Sequence, residues 1–243
     1  MTRIRFGVLT PSSNTALEPL TSAMVARVPG VSAHFSRFTV TEIALSEQAL
    51  GQFDDRHVLA AADLLADARV DVIGWSGTSA GWLGFDHDVT LCRRIEAQTD
   101  IPATTSMLAL NDILDAAECR RFGLVTPYTE DVQARILANY RHAGFEIVAE
   151  DHLGIRENFA YAEVTEATLT AQVRRVARAG APAIVVACTN LRAAQLVPRW
   201  EAELGVPVFD TTATVVWKML RMTGQGDKPV AGWGRLMQGG MLP

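Results

Sequence analysis

Four short segments hold the residue types that could do chemistry in this chain. Cys188-Thr189-Asn190 offers a thiol, and Gly77-Thr78-Ser79-Ala80-Gly81 offers two hydroxyls among small residues. Pro11-Ser12-Ser13-Asn14-Thr15 adds hydroxyls and an amide, and Pro127-Tyr128-Thr129 adds a phenol. A thiol can serve as a nucleophile or as a general acid or base. Hydroxyls and backbone N–H groups just after a strand make a nest for an anion such as a carboxylate. Each segment also has a plainer reading. A lone cysteine is often an inert core thiol. Ser and Asn after a strand can simply cap the next helix. A tyrosine can be core. Position at a strand end weighs for the thiol and the phenol. For Ser12, Ser13 and Asn14, capping and ligand binding stay open together.

Other chemistries are excluded by what is missing. The Gly77 segment lacks the lysine and spacing of a phosphate-binding loop, and no glycine-rich stretch has the dinucleotide fingerprint. No nucleotide cofactor is expected. The three cysteines are Cys92, Cys119 and Cys188, an odd and small number that argues against a disulfide framework. Cys92 falls within a helical pattern and Cys119 within a turn, so both read as structural or incidental. None of the five histidines stands at metal-ligand spacing from a cysteine or another histidine. Phe85-Asp86-His87-Asp88 reads as a polar helix start rather than a metal site, so no metal is expected. The net charge is −5 without a basic block, so no nucleic-acid partner is expected. There is no signal peptide and no apolar run near the roughly 20 residues that span a membrane. A cytoplasmic protein is expected.

A repeated framework must position these segments. Arg5-Phe6-Gly7-Val8-Leu9-Thr10-Pro11 returns as Arg121-Phe122-Gly123-Leu124-Val125-Thr126-Pro127, and the only differences exchange Val and Leu. Val72 to Ser79 corresponds to Ala183 to Asn190, and Ile101 to Ser106 to Val206 to Thr211. Gly77 is thereby the counterpart of Cys188. Strands are predicted near 3–10, 32–39, 70–76 and 101–104, then near 121–126, 145–151, 182–187 and 206–209, with amphipathic stretches between them. Short runs rich in Val and Ile suit parallel strands joined by right-handed crossovers. The fold expected is α/β, with two pseudo-symmetric Rossmann-like halves, each a four-stranded parallel sheet flanked by helices. Residues 1–114 and 213–243 form the first half and 115–212 the second. Ligands of open parallel sheets bind at the carboxyl ends of strands. The loops starting at Pro11, Gly77, Pro127 and Cys188 all lie there, which places the site between the halves. Cys188 also reads as standing at the start of a helix, which would lower its pKa.

These residues resemble the aspartate/glutamate racemase superfamily, in the branch of maleate cis–trans isomerases and arylmalonate decarboxylases, over essentially the whole chain. Pro11-Ser12-Ser13-Asn14-Thr15, Tyr128 and Asn158 are similar to the isomerases. Gly77-Thr78-Ser79, Tyr128, Cys188 and Gly232-Trp233-Gly234-Arg235-Leu236 are similar to the decarboxylase. The resemblance implies a cofactor-independent enzyme. Racemases and isomerases of the group carry a cysteine at each pseudo-symmetric strand end, whereas this chain has Gly77 at one of them, as the decarboxylase does. Two-base racemization needs acid and base on opposite faces of the carbanion.

The resemblance implies decarboxylation of a malonate-type acid, aryl- or alkyl-substituted. One carboxylate would be held by Thr78, Ser79 and Tyr128, with Thr189, Asn14, Asn158 and the Gly77 backbone nearby and Pro11 and Ser12 in the pocket wall. The other would leave as CO2 from an apolar recess. Donors around the retained carboxylate would stabilise the enediolate, and Cys188 would protonate it from one side. That role needs a thiol that rests protonated, so burial or negative charge must offset any helix-start effect. The alternatives are a maleate isomerase or racemase-like enzyme and, from another class, a non-catalytic carboxylate-binding protein. The partner expected is a small dicarboxylic acid, and a homodimer is compatible with the chain.

Overall fold

The computed structural model describes residues 3–239. Residues 1–2 and 240–243, inside the range expected for the first half, lie outside the described residues. The first half runs β1 (Ile4–Pro11), α1 (Leu17–Val25), β2 (Val31–Phe38), α2 (Glu47–Gly51), α3 (Asp55–Asp67), β3 (Val72–Trp75), α4 (Ala80–Leu83), α5 (Phe85–Thr99), β4 (Ala103–Thr105) and α6 (Ser106–Ala116). The second runs β5 (Arg121–Thr126), α7 (Glu130–His142), β6 (Glu146–His152), α8 (Glu166–Arg178), β7 (Ile184–Val186), α9 (Val197–Leu204), β8 (Val208–Asp210) and α10 (Thr211–Met222).

The strands form two four-stranded sheets ordered β2-β1-β3-β4 and β6-β5-β7-β8, and every pairing is parallel. The repeat extends to register. Gly7 lies opposite Ile73, and its counterpart Gly123 lies opposite Ile184. Ile73 lies opposite Ala103, and Ile184 opposite Val208. The glycines themselves have a shared cause. A Cβ on Gly7 would stand 2.8 Å from Val70, and one on Gly123 would stand 2.1 Å from Val176. Each glycine lets the flanking layer close on the sheet.

Buffering of the strand ends is also duplicated. Glu96 accepts from the Ala103 backbone N–H at 3.0 Å, and Glu201 accepts from Val208 at 3.1 Å. The halves meet where α6 stops, through a turn with Glu118 at φ 50°. Helix α10 leaves the second sheet and packs on α6, α1 and β3 of the first half. The tail then returns, and the Arg235 N–H bonds the second carboxylate oxygen of Glu201 at 2.8 Å. The chain thus passes between the halves three times, which ties them firmly. The central strands β3 and β7 and the edge strands β4 and β8 are buried throughout, while the opposite edges, β2 and β6, keep partly exposed residues.

One local expectation is corrected. Cys188 does not start a helix. A turn and a short 3₁₀ helix, Ala194–Leu196, precede α9, which begins at Val197 with Pro198 in its first turn. Proline suits that place because its missing N–H would be unpaired there anyway. Asp86 and Asp88 do lie in the first turn of α5.

Candidate active site

The carboxyl ends of β1, β3, β5 and β7 converge on one small cavity between the halves. It is lined by Pro11, Gly77, Thr78, Ser79, Tyr128, Asn158, Cys188 and Thr189, all singled out from the sequence. Its volume is about 20 Å³, room for about one water. Any organic ligand therefore needs the walls to part.

Burial and hydrogen bonding set the state of the central groups. Cys188 is 3% exposed. Burial pushes its thiol up to about 12, against the opposing pull of the Tyr128 hydroxyl and the Asn190 and Leu191 N–H groups, while Asp210 adds to the rise. The thiol therefore rests protonated, an acid rather than a ready nucleophile. Tyr128 is held well above the usual phenol range, first by its own burial. Its hydroxyl pairs with Thr78 Oγ1 at 2.6 Å. Its ring is fixed edge-on by Trp82 at 5.3 Å and Tyr161 at 5.7 Å. The hydroxyls of Thr78, Ser79 and Tyr128 can thus serve one carboxylate. The lining includes no Lys, Arg, His, Asp or Glu. An anion here depends on neutral donors, and a metal would find no imidazole or carboxylate.

The thiol's state has a direct readout. Alkylation of Cys188 by iodoacetamide, followed by peptide mass spectrometry, is expected to stay slow near neutrality. It should rise about tenfold per pH unit into the alkaline range, because only the thiolate attacks. A rate that levels off near pH 7 would contradict a burial-raised thiol.

Ser12 and Asn14 do not line the cavity. Ser12 Oγ accepts from the Val40 N–H at 3.1 Å. Asn14 Oδ1 accepts from the N–H groups of Ala16 and Leu17 at 3.0 and 2.9 Å, capping α1, and its amide lies 3.4 Å from Thr189 Oγ1. Both therefore support the wall from behind. Thr189 in turn donates to the Ser76 carbonyl at 3.1 Å, joining the two pseudo-equivalent loops. Asn158 lines the cavity, yet its amide donates to Ser13 Oγ at 2.8 Å.

The sequence reading missed the apolar walls and one polar bracket. Val40, Ile43 and Phe53, from the segment between β2 and α3, together with Trp75, Trp82 and Asn190, complete the lining. That segment is clasped across the cleft. The Ile43 N–H bonds the Arg156 carbonyl, and the Asn158 N–H bonds the Thr41 carbonyl, both at 3.0 Å. A Glu42–Arg156 pair at 3.1 Å lies outside them. Asn190 is the bracket. Its Oδ1 accepts from Thr15 and Ala16 N–H at 3.0 and 3.2 Å, and its Nδ2 donates to the Asn158 carbonyl at 2.6 Å.

A larger groove of about 430 Å³ lies at the opposite, amino-terminal ends of β5, β7 and β8. Its guanidinium groups, Arg120 and Arg121, are already paired with Asp115 and Glu146. No thiol–phenol–hydroxyl group converges there, and it is the wrong end of the sheet for ligands.

Fold and site together define a two-half α/β protein with a small cavity of neutral hydrogen-bonding groups and a buried, protonated thiol between the halves. The chain belongs to the arylmalonate decarboxylase family, whose model matches residues 16–237. It is 31% identical to the arylmalonate decarboxylase of Bordetella bronchiseptica over 168 residues, which cover 68% of this chain and 70% of that one. It is 26% identical to the maleate isomerase of Alcaligenes faecalis over 238 residues, 92% of each chain. The maleate isomerase Iso of Pseudomonas putida S16, solved as a variant with maleate, superposes with a TM-score of 0.89 at 26% identity and covers 100% of both chains.

Proposed function

We propose that this protein is a cofactor-independent decarboxylase of malonate-type dicarboxylic acids, with Cys188 as the acid that protonates the product carbanion. The observation that carries the reading is the asymmetry of the two equivalent strand ends. Cys188 provides a protonated thiol at one, and Gly77 provides no side chain at the other. A single acid suits one-sided protonation and does not suit two-base racemization.

The roles follow from the cavity. Thr78, Ser79 and Tyr128 hold the retained carboxylate and stabilise the enediolate as charge moves onto it. Val40, Ile43 and Phe53 face the departing carboxylate with apolar surface, which favours loss of charge as CO2. The C–C bond's electron pair passes to the α-carbon and its carboxylate. The Cys188 proton then goes to that carbon, and the thiolate regains a proton from solvent. Asn158 helps order the wall above the substrate.

A second reading, maleate isomerization, is favoured by Asn158 in the lining and by the near-complete overlap with maleate isomerases. One experiment separates the two. A panel of substituted malonates, maleate and free carboxylic acids is followed by NMR in deuterated water, with and without prior dialysis against a chelator. Decarboxylation with one deuterium placed on the α-carbon, unchanged by the chelator, is expected. Conversion of maleate alone would replace the proposal with the isomerase reading. Binding without turnover of any compound would leave a carboxylate-binding protein.

A further inference from the structure

We infer that Trp75 determines specificity in this site: its indole fills the space that a side chain at position 77 would occupy, which closes the pocket to bulky substituents and keeps the face opposite Cys188 free of any acid. This rests on the decarboxylase reading for the identity of the substrate, but the packing claim stands apart from it.

The first observation is why position 77 is glycine. Gly77 does not adopt a left-handed backbone conformation, so conformation does not demand it. Space does. A Cβ built on Gly77 would lie 2.1 Å from Trp75 Cζ2, 2.3 Å from Cε2 and 2.6 Å from Cη2. The benzo edge of the indole lies directly on the Gly77 backbone.

The second observation is that the ring cannot easily yield. Trp75 is 2% exposed. Phe38 packs against it with ring centroids 4.9 Å apart, and its Nε1 is directed at Ser79 Oγ at 3.4 Å. A ring held on both sides is a fixed wall, unlike the free end of a flexible chain.

The third observation is asymmetry. Trp75 ends β3, and its counterpart at the end of β7 is Val186. The large residue stands only on the side that lacks the thiol. Together with Trp82 and Phe53, whose rings meet edge-on at 5.7 Å, it leaves the cavity little room. The substrate class this favours is a malonate with a small substituent, such as methyl, in preference to an aryl group. A thiol placed at 77 has no room unless Trp75 is reduced.

The test is a packing cycle joined to a substrate-size series. Gly77→Cys is made in the wild-type chain and in a Trp75→Leu chain, with Gly77→Ala as the minimal version should the cysteine variant fail to fold. Overpacking predicts that substitution at 77 lowers Tm by about 5–10 °C in the wild type and by far less beside Trp75→Leu. Equal losses in both backgrounds would overturn the wall. In the second arm, Trp75→Leu should shift the ratio of kcat/KM for phenylmalonate over methylmalonate upward by about tenfold or more. An unchanged ratio in an active enzyme would overturn the specificity claim. If no malonate turns over in either protein, the decarboxylase reading has failed, and the Tm cycle alone decides the packing claim.

Discussion

Cys188→Ala is expected to lower kcat about a hundredfold to ten-thousandfold, the range typical for loss of a positioned general acid. The carbanion must then take its proton from water, for which the cavity has room for about one molecule. The fold should survive, since the residue is small and follows a strand, and its thiol's main local donors are the neighbouring Asn190 and Leu191 N–H groups. Its carbonyl still accepts from the Leu191 N–H at 3.2 Å in the variant as in the wild type. The control is Cys92→Ala. Cys92 is likewise buried and likewise pushed up to about 12, but it lies on α5 away from the cavity lining. It should change stability slightly and turnover not at all. Calorimetric titration with an unreactive dicarboxylate distinguishes loss of chemistry from loss of binding. Full activity in a folded Cys188→Ala protein would remove the thiol from the mechanism. Unchanged ligand affinity with no wild-type turnover to lose would point to a binding protein.

The repeated heptapeptide made the fold legible, because two copies of one strand imply two copies of the sheet around it. The eight strands fall where the Val- and Ile-rich runs place them, within about two residues, as local patterns allow. The strand-end residues were legible for the same reason: position in a parallel sheet predicts where ligands sit. What escaped was apolar or distant. Val40, Ile43 and Phe53 look like core residues in any linear reading, because nothing local shows that their loop folds over a cleft. The clasp pairs Glu42 with Glu157, far apart in the chain and without a shared pattern. Trp75 reads as the last core residue of β3, and only its ring position over Gly77 shows its other role. Asn190 stood in view beside Cys188, yet its partners Thr15, Ala16 and Asn158 are far from it in the chain. The helix expected at Cys188 was the avoidable error, since Pro198 marks a later start.

Asn190→Ala is expected to cost about 1–3 kcal/mol. Asn190 is 1% exposed and links three backbone segments. Removing its side chain takes the 2.6 Å donor from the Asn158 carbonyl, which keeps only the Tyr161 N–H at 3.3 Å, and releases the N–H of exposed Thr15 to solvent; each hydrogen bond lost costs about 0.5–1.5 kcal/mol. The Ala16 N–H keeps its bond to Asn14 Oδ1, so it adds little. Tm should fall by about 2–10 °C. The loss should reach function as well, because Asn158 lines the cavity and Thr15 follows the first strand-end loop. A higher KM for the dicarboxylate substrate is expected in protein that remains folded. Asn190→Asp isolates the direction of each bond. An aspartate keeps an acceptor for Thr15 and Ala16 but sets an oxygen against the Asn158 carbonyl, where the amide donates at 2.6 Å. Only the protonated carboxyl can restore that bond, so the folded state should hold the proton and raise the aspartate's pKa above its unfolded value. Stability then falls as pH rises from the unfolded pKa towards the folded one. Urea unfolding of wild type and variant between about pH 4 and pH 8 measures this. The deficit of Asn190→Asp should shrink on acidification while that of Asn190→Ala stays constant. A deficit that is the same at every pH would mean that the Asn158 carbonyl does not depend on position 190, and that the bracket between the halves is held elsewhere.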